Sequence, residues 1–238
     1  DVLVVGAGIS GILAAKNAAK NNFKTLLVDE KNELGGSTIF ENNEFNKIDN
    51  KTPSEWLKKE IEELKNIKNL EIKTRTSVAA YHQYNYLLAR ENLTDHLEAK
   101  DKTNKIRQRL LKIRAKKVIL ATGALERPLI FNNNDRPGIM LSSAIKKYSE
   151  FYGVACGNKN VFFTNNDSAY ESALSLYNKG INVEAIIDIR EQSESKIVKK
   201  VKEAGIKIYW SHTIVDTSGY KRLNLSLIHI SEPTRPSQ

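Results

Sequence analysis

The 238-residue sequence predicts an α/β fold of three layers around a parallel sheet, and three stretches carry that prediction. Asp1-Val-Leu-Val-Val-Gly-Ala-Gly-Ile-Ser-Gly11 passes from a wholly apolar run through spaced glycines into a helical pattern. Lys24-Thr-Leu-Leu-Val-Asp29 is a second apolar run that closes on an acid, and Lys117-Val-Ile-Leu-Ala-Thr-Gly123 is a third that closes on a glycine. Short β-branched runs of this kind suit strands covered on both faces, as parallel sheets require.

Gly6, Gly8 and Gly11 fit G-x-G-x-x-G. The first glycine permits the tight turn, the second lets backbone approach a pyrophosphate, and the third lets helix pack on strand. Glycines alone mark any abrupt strand-to-helix connection, so the context decides. Here a helix over residues 9–21 follows, with Ile9 and Ser10 in its first turn and free N–H groups at its positive end. Asp29 lies 23 positions beyond Gly6 (29 − 6), where a carboxylate accepts hydrogen bonds from adenosine ribose hydroxyls. The unit is Rossmann-like, and its acid would repel a 2′-phosphate, which favours NAD or FAD over NADP. Glu30 and Lys31 follow the ribose acid, and then Gly35-Gly36-Ser37-Thr38 offers close backbone approach and two hydroxyls. Gly36, Ser37 and Thr38 join the predicted site.

Further along, Thr52-Pro-Ser-Glu55 reads as a helix start with Thr52 as N-cap, Pro53 at the first position and Glu55 completing a capping box. Trp56, Leu57, Ile61 and Leu64 then fall on one helical face and are read as core. Residues 70–76 alternate as one strand, and residues 79–117 read as a β insertion, with a tyrosine-rich hairpin and a returning strand whose arginines form a solvated face. The first, dinucleotide-binding domain is expected to run over residues 1–130, ending with the strand that closes on Ala121, Thr122 and Gly123. Residues 131–224 predict a second, incomplete and degenerate Rossmann-like unit. Its first turn places Asn165 and Asn166 where a working site needs glycines, so it is read as structural or as having lost ordinary nicotinamide binding.

The net charge of +9 is spread over Lys-rich helix faces, with no basic block interleaved with aromatics, so nucleic acid is not an expected partner. Mean hydropathy is −0.45 and no apolar run approaches the ~18 residues that span a bilayer, so neither is a membrane. The single cysteine, Cys156, excludes an internal disulfide and suits a reducing, cytoplasmic location. His82 and His96 lack metal-site spacing, and no constellation of catalytic residues is evident. The chain starts inside a strand, so upstream residues are expected to be missing. Residues 225–238 contain Leu-Ser-Leu-Ile-His-Ile-Ser-Glu-Pro-Thr-Arg235, which resembles the conceptual translation of a sequencing-library adapter. That tail is set aside from fold reasoning, His229 with it, and the protein is expected to continue beyond Asn224.

The Gly35-Gly36-Ser37 step is similar to one in flavoprotein disulfide reductases, where it brackets the nucleotide diphosphate. In such two-dinucleotide (FAD/NAD(P)-binding) flavoproteins the backbone after the third strand meets the adenine, which implies a contact at Val78, and the Ala121-Thr122-Gly123 strand end packs beside the nucleotide. More specifically, Ala121-Thr-Gly-Ala-Leu-Glu-Arg-Pro128, residues 133–144 and Phe163-Thr-Asn-Asn-Asp-Ser-Ala-Tyr170 resemble the nucleotide-binding middle region of the α subunit of heterotetrameric sarcosine oxidase. That resemblance implies a complex with β, γ and δ subunits that demethylates sarcosine oxidatively to glycine, producing hydrogen peroxide and methylenetetrahydrofolate. It implies NAD in this region in a non-redox role, FAD in the β subunit, FMN at the α/β interface, and tetrahydrofolate in a later part of α. The second reading is a catalytic FAD-binding subunit of an amine, opine or hydroxyproline dehydrogenase, with FAD at the first site.

Overall fold

The computed structural model describes residues 1–41, 47–103, 105–221 and 223, and the backbone of 225–230. The chain divides into two units, Asp1–Ala124 and Leu125–Gln238, a division a few residues before the boundary expected from sequence.

In the first unit, strand β1 (Val2–Val5) leads into helix α1 (Ile9–Lys20), strand β2 (Thr25–Val28), helix α2 (Pro53–Lys65) and strand β3 (Leu70–Lys73). Strands β4 (Thr76–His82), β5 (Tyr86–Asn92) and β6 (Gln108–Arg114) precede β7 (Lys117–Leu120). The parallel sheet has the order β3-β2-β1-β7, with Val5 level with Val28 on one side and Leu120 on the other. Because side chains alternate along a strand, Val4 and Leu27 face α1 and α2, where Ile12, Ala15, Trp56, Leu57 and Leu64 complete a core. Leu3, Val5 and Val28 face the opposite way, onto Leu87 and the antiparallel β4-β5-β6 sheet. Helices, parallel sheet and meander are thus the three layers. Two of the three apolar runs read from sequence, β1 and β2, are buried strands; the third, β7, is instead the edge of the sheet, where Ile119 is 38% and Leu120 57% exposed, so it is not covered on both faces.

The α2 start has the predicted box: Glu55 N–H donates to Thr52 Oγ1, and Thr52 N–H donates to Glu55 Oε2. One expectation is corrected nearby. Residues 70–76 are not one strand, because Arg75 takes a left-handed conformation (φ 51°) that moves the chain from the parallel sheet into the meander. Alternation of apolar and polar residues continues through that turn, so the sequence pattern gave no sign of the break.

Helices α1 and α2 are also joined by Lys16, whose Nζ lies 2.6 Å from Glu60 Oε2 and 2.7 Å from Glu63 Oε2. Hydrogen bonding from Lys16 brings the Glu63 carboxyl down from 4.5 to about 2. Burial alone would lower the Lys16 pKa, but its bonds to Glu60 and Glu63 outweigh that and raise it. A carboxyl whose folded pKa is depressed contributes stability that is present above its unfolded value and lost as pH falls through the folded one. The wild-type melting temperature should therefore drop between pH 4.5 and 2, and Glu63→Gln should flatten that drop. Identical slopes in a thermal-unfolding series over that range would remove the contact as a source.

The second unit holds α3 (Ser142–Phe151), β8 (Asn160–Thr164), α4 (Ser168–Asn178), β9 (Val183–Asp188), α5 (Lys196–Glu203), β10 (Lys207–Trp210), β11 (His212–Ser218) and β12 (Leu225–Ile230). Strands β8, β9 and β10 form a parallel sheet in the order β10-β9-β8, with Tyr170, Leu176, Ile186, Val198 and Val201 packed in its core. The residue before α3 is Leu141, which cannot cap; Glu126 supplies the missing acceptor, taking the N–H groups of Ser142 (3.0 Å) and Ser143 (2.7 Å). The backbone of β12, inside the stretch set aside from sequence, pairs antiparallel with β11. Among the described residues no helix is long and apolar enough to cross a membrane.

Candidate dinucleotide site

The turn from β1 into α1 has the shape that its glycines allow. Gly6 has φ +97°, and a Cβ there would lie 2.3 Å from the Ala121 carbonyl oxygen. A Cβ on Gly11 would lie 1.8 Å from Gly6 O. Both glycines are therefore required by packing between α1, the turn and the end of β7. Gly8 differs: its φ of −73° suits any residue, and a Cβ there would meet nothing within 4 Å. Space is open beside the N-terminus of α1, where no acidic side chain stands in the first turn and no side chain caps the helix. Free N–H groups at an uncapped positive end form an anion site.

A second loop docks on this turn. Gly35 N–H donates to Ala7 O (2.7 Å), and a Cβ on Gly36 would come 3.0 Å from Gly8 Cα. The short 3-10 turn Gly36–Phe40 that follows carries Ser37, exposed, and Thr38, buried. Thr38 Oγ1 has no hydrogen-bond partner, although the residue is only 1% exposed. A buried hydroxyl without a partner is costly. An open cradle at Gly8 and an orphaned hydroxyl on the adjoining loop are what a bound diphosphate would complete, so these residues fit a dinucleotide.

Asp29 has a role the sequence reading did not assign. It is 9% exposed, and its Oδ2 accepts Ala7 N–H (2.6 Å) while its Oδ1 accepts Lys31 N–H (2.8 Å). The carboxylate expected to face a ribose thus holds the glycine turn against β2. Glu30, the next residue, is exposed and makes no hydrogen bond or ion pair with another described residue. Lys31 is exposed too, and its carbonyl accepts Arg75 N–H (2.8 Å), which places the start of β4 beside it. Val78, three residues on, is half-buried against Leu87 and Val28. Ala121 N–H donates to Val5 O (2.8 Å), and Thr122 and Gly123 are exposed, with open space at Gly123. The structure therefore brings Gly6, Gly8, Ile9, Ser10, Gly11, Gly36, Thr38 and Ala121 to one place, with Asp29 behind the turn.

In the second unit the side chains of the β8–α4 turn hydrogen-bond to one another and to the start of α4. Asn166 Oδ1 accepts Ser168 N–H (3.0 Å) and Ser168 Oγ–H (2.6 Å), which takes up the first N–H of α4. Asp188, fully buried at the end of β9, accepts Tyr170 O–H (2.8 Å), Arg190 N–H (2.9 Å) and the Arg190 guanidinium (2.7 Å). Arg190 also reaches Asp167 (2.8 Å). Burial, and then the bond to Asp188, raises the Tyr170 phenol and keeps it protonated. In the sequence the network is marked only by an arginine two positions after a strand-ending acid.

The fold and the glycine turn define a dinucleotide-binding oxidoreductase domain, and residues 1–232 match the pyridine nucleotide-disulphide oxidoreductase family, to which the chain belongs. More particularly, the chain is 38% identical over 232 residues to sarcosine oxidase subunit alpha of Corynebacterium sp. (strain P-1), covering 98% of this chain and 24% of that protein. It is 34% identical over 213 residues to the subunit of the same name from Rhizobium meliloti (strain 1021), covering 87% and 21%. The chain thus spans about a quarter of the length of these curated relatives. Among solved structures, thioredoxin reductase from T. acidophilum superposes with TM-score 0.69 at 20% identity, covering 97% of this chain and 70% of that one. L-proline dehydrogenase from P. horikoshii superposes with TM-score 0.65 at 22% identity, covering 95% and 38%. These two show the fold.

Proposed function

We infer that the chain is the dinucleotide-binding portion of the α subunit of a sarcosine oxidase complex, and that it binds NAD without reacting with it. The observation that carries this reading is the 38% identity over 232 residues, 98% of the chain. In the proposed site the α1 N-terminus and Thr38 hold the diphosphate, Glu30 takes the ribose hydroxyls, Asp29 keeps the turn in shape, and Val78 borders the adenine. A dinucleotide in that cradle supplies a redox-capable nicotinamide or flavin, but among the described residues no side chain is placed as an amine-oxidising base. Oxidative demethylation of sarcosine to glycine, with hydrogen peroxide and methylenetetrahydrofolate as the other products, belongs in this reading to the assembled complex. There FAD is held in the β subunit and FMN at the α/β interface, tetrahydrofolate lies in a later part of α, and γ and δ complete the assembly. The second unit is structural or has lost ordinary nicotinamide binding, a reading supported by the Asn166 bonds at the start of α4 and the Asp188–Arg190 pair at the end of β9.

Extraction of the nucleotide from the purified full-length subunit tests the reading. NAD with no flavin absorbance band is the expected result. FAD in the isolated subunit would replace it with a catalytic amine, opine or hydroxyproline dehydrogenase subunit.

The roles of the two acids are separable. Asp29→Ala leaves the Ala7 and Lys31 N–H groups without their acceptor and should cost about 1–3 kcal/mol of stability as well as affinity. Glu30→Ala should lower affinity alone, by a similar amount through lost ribose bonds. Calorimetric titration and thermal unfolding of both variants, showing equal melting temperatures and affinities, would erase the distinction.

A further inference from the structure

The geometry points to the outward face of the β4-β5-β6 sheet as a docking surface for an acidic patch on a partner subunit. The inference rests on the reading of this chain as one subunit of an oxidase complex. Its basis is the strand register, in which Tyr86 lies opposite Arg114, Leu88 opposite Lys112 and Arg90 opposite Leu110. Each cross-strand pair sets one cation beside one apolar side chain. Because the meander buries the alternate positions, with Leu87, Val78 and Ile113 on the inner face, these six side chains stand on the outer one. Arg90, Lys112 and Arg114 are exposed, and Leu110 is 62% exposed between them.

The charge distribution is one-sided. The acid of β5, Glu91, belongs to the inner set and is 9% exposed; there it pairs with Lys73 (3.2 Å) and Arg109 (3.4 Å). No outward position on the three strands carries an acid. Arg90, Lys112 and Arg114 make no ion pair with any described residue, so Glu91 meets Lys73 of β3 and Arg109 of β6 on the inner side while the outer cations are left without a carboxylate. Guanidinium groups are weakly hydrated and form two-pronged bonds to carboxylates, which suits burial against a protein. Leu110 and Leu88 would supply the apolar centre that such contacts surround. A nucleic acid fits less well: Tyr86 already has Arg114 over it at 5.6 Å, and His82, its neighbour on the same face, lies tilted against it at 6.0 Å, so the two rings are engaged with this face's own side chains.

The test uses the full-length chain co-produced with the β, γ and δ subunits. The variant Arg90→Glu/Lys112→Glu/Arg114→Glu should retain its nucleotide while its dissociation constant for the partners rises at least about tenfold, and the salt dependence of association should flatten. Independently of any variant, Lys112 of the wild-type chain should react with acetic anhydride when alone and be protected in the complex. Unchanged assembly by a variant that keeps its nucleotide, or equal labelling of Lys112 in both states, overturns the docking surface and leaves the functional reading standing. A wild-type chain that recruits none of these subunits overturns both. Loss of single-stranded RNA binding in the variant with assembly unaffected assigns the face to nucleic acid instead and overturns the proposal.

Discussion

Gly8→Val folds as the wild type does and loses its nucleotide: that is the expected result, and it follows from the contrast between Gly8 and its neighbours. At Gly8 the backbone is one any residue adopts and a Cβ has nothing within 4 Å, so thermal stability should stay within about 0.5 kcal/mol of wild type. The new side chain would project into the space beside the α1 N-terminus that the diphosphate needs. Affinity should fall at least about 100-fold, or about 2.8 kcal/mol at 1.4 kcal/mol per decade. Gly11→Ala is the opposite case. Its Cβ would sit 1.8 Å from Gly6 O, so helix and turn must separate, and a loss of about 3 kcal/mol or more is expected. Undiminished calorimetric binding by a folded Gly8→Val protein would place the nucleotide elsewhere.

Arg190→Ala should destabilise the second unit by about 3 kcal/mol. Asp188 is fully buried, and removal of the guanidinium leaves its charge with only the Tyr170 hydroxyl and one backbone N–H. Measured costs for breaking a buried pair run higher, but the Arg190 side chain is 29% exposed, so water compensates in part. Arg190→Lys keeps the charge and loses the two-pronged geometry, and it should fall between the two. Urea unfolding followed at Trp210, which stacks on Tyr170, reports on this unit. A loss below about 1 kcal/mol would mean that the pair adds little to what packing supplies.

What could be seen in the sequence followed periodicity and glycine spacing. The strands β1, β2 and β7, the α2 capping box and the Asn-filled turn before α4 all announce themselves within a few consecutive residues, because each depends on local backbone geometry, although the apolar run of β7 did not show that it would be an exposed edge. The features that escaped notice depend on pairs far apart in the chain. Arg75 ends one strand and starts another without disturbing the alternation around it. Asp29 and Glu30 are adjacent acids, and only folding shows that the first turns inward to Ala7 while the second stays in solvent. Arg90 and Lys112 look like scattered surface charges until the register lays β5 against β6.

The lacing of the glycine turn has a kinetic corollary. Asp29 anchors Ala7 from behind and Gly35 ties its own loop to the same residue, so the receiving backbone is already in its final shape. Capture then requires little folding of the receptor, and the entropic toll usually levied on mobile loops is largely absent. Association should be single-phase and close to collision-controlled, with differences among variants residing in how quickly the guest departs.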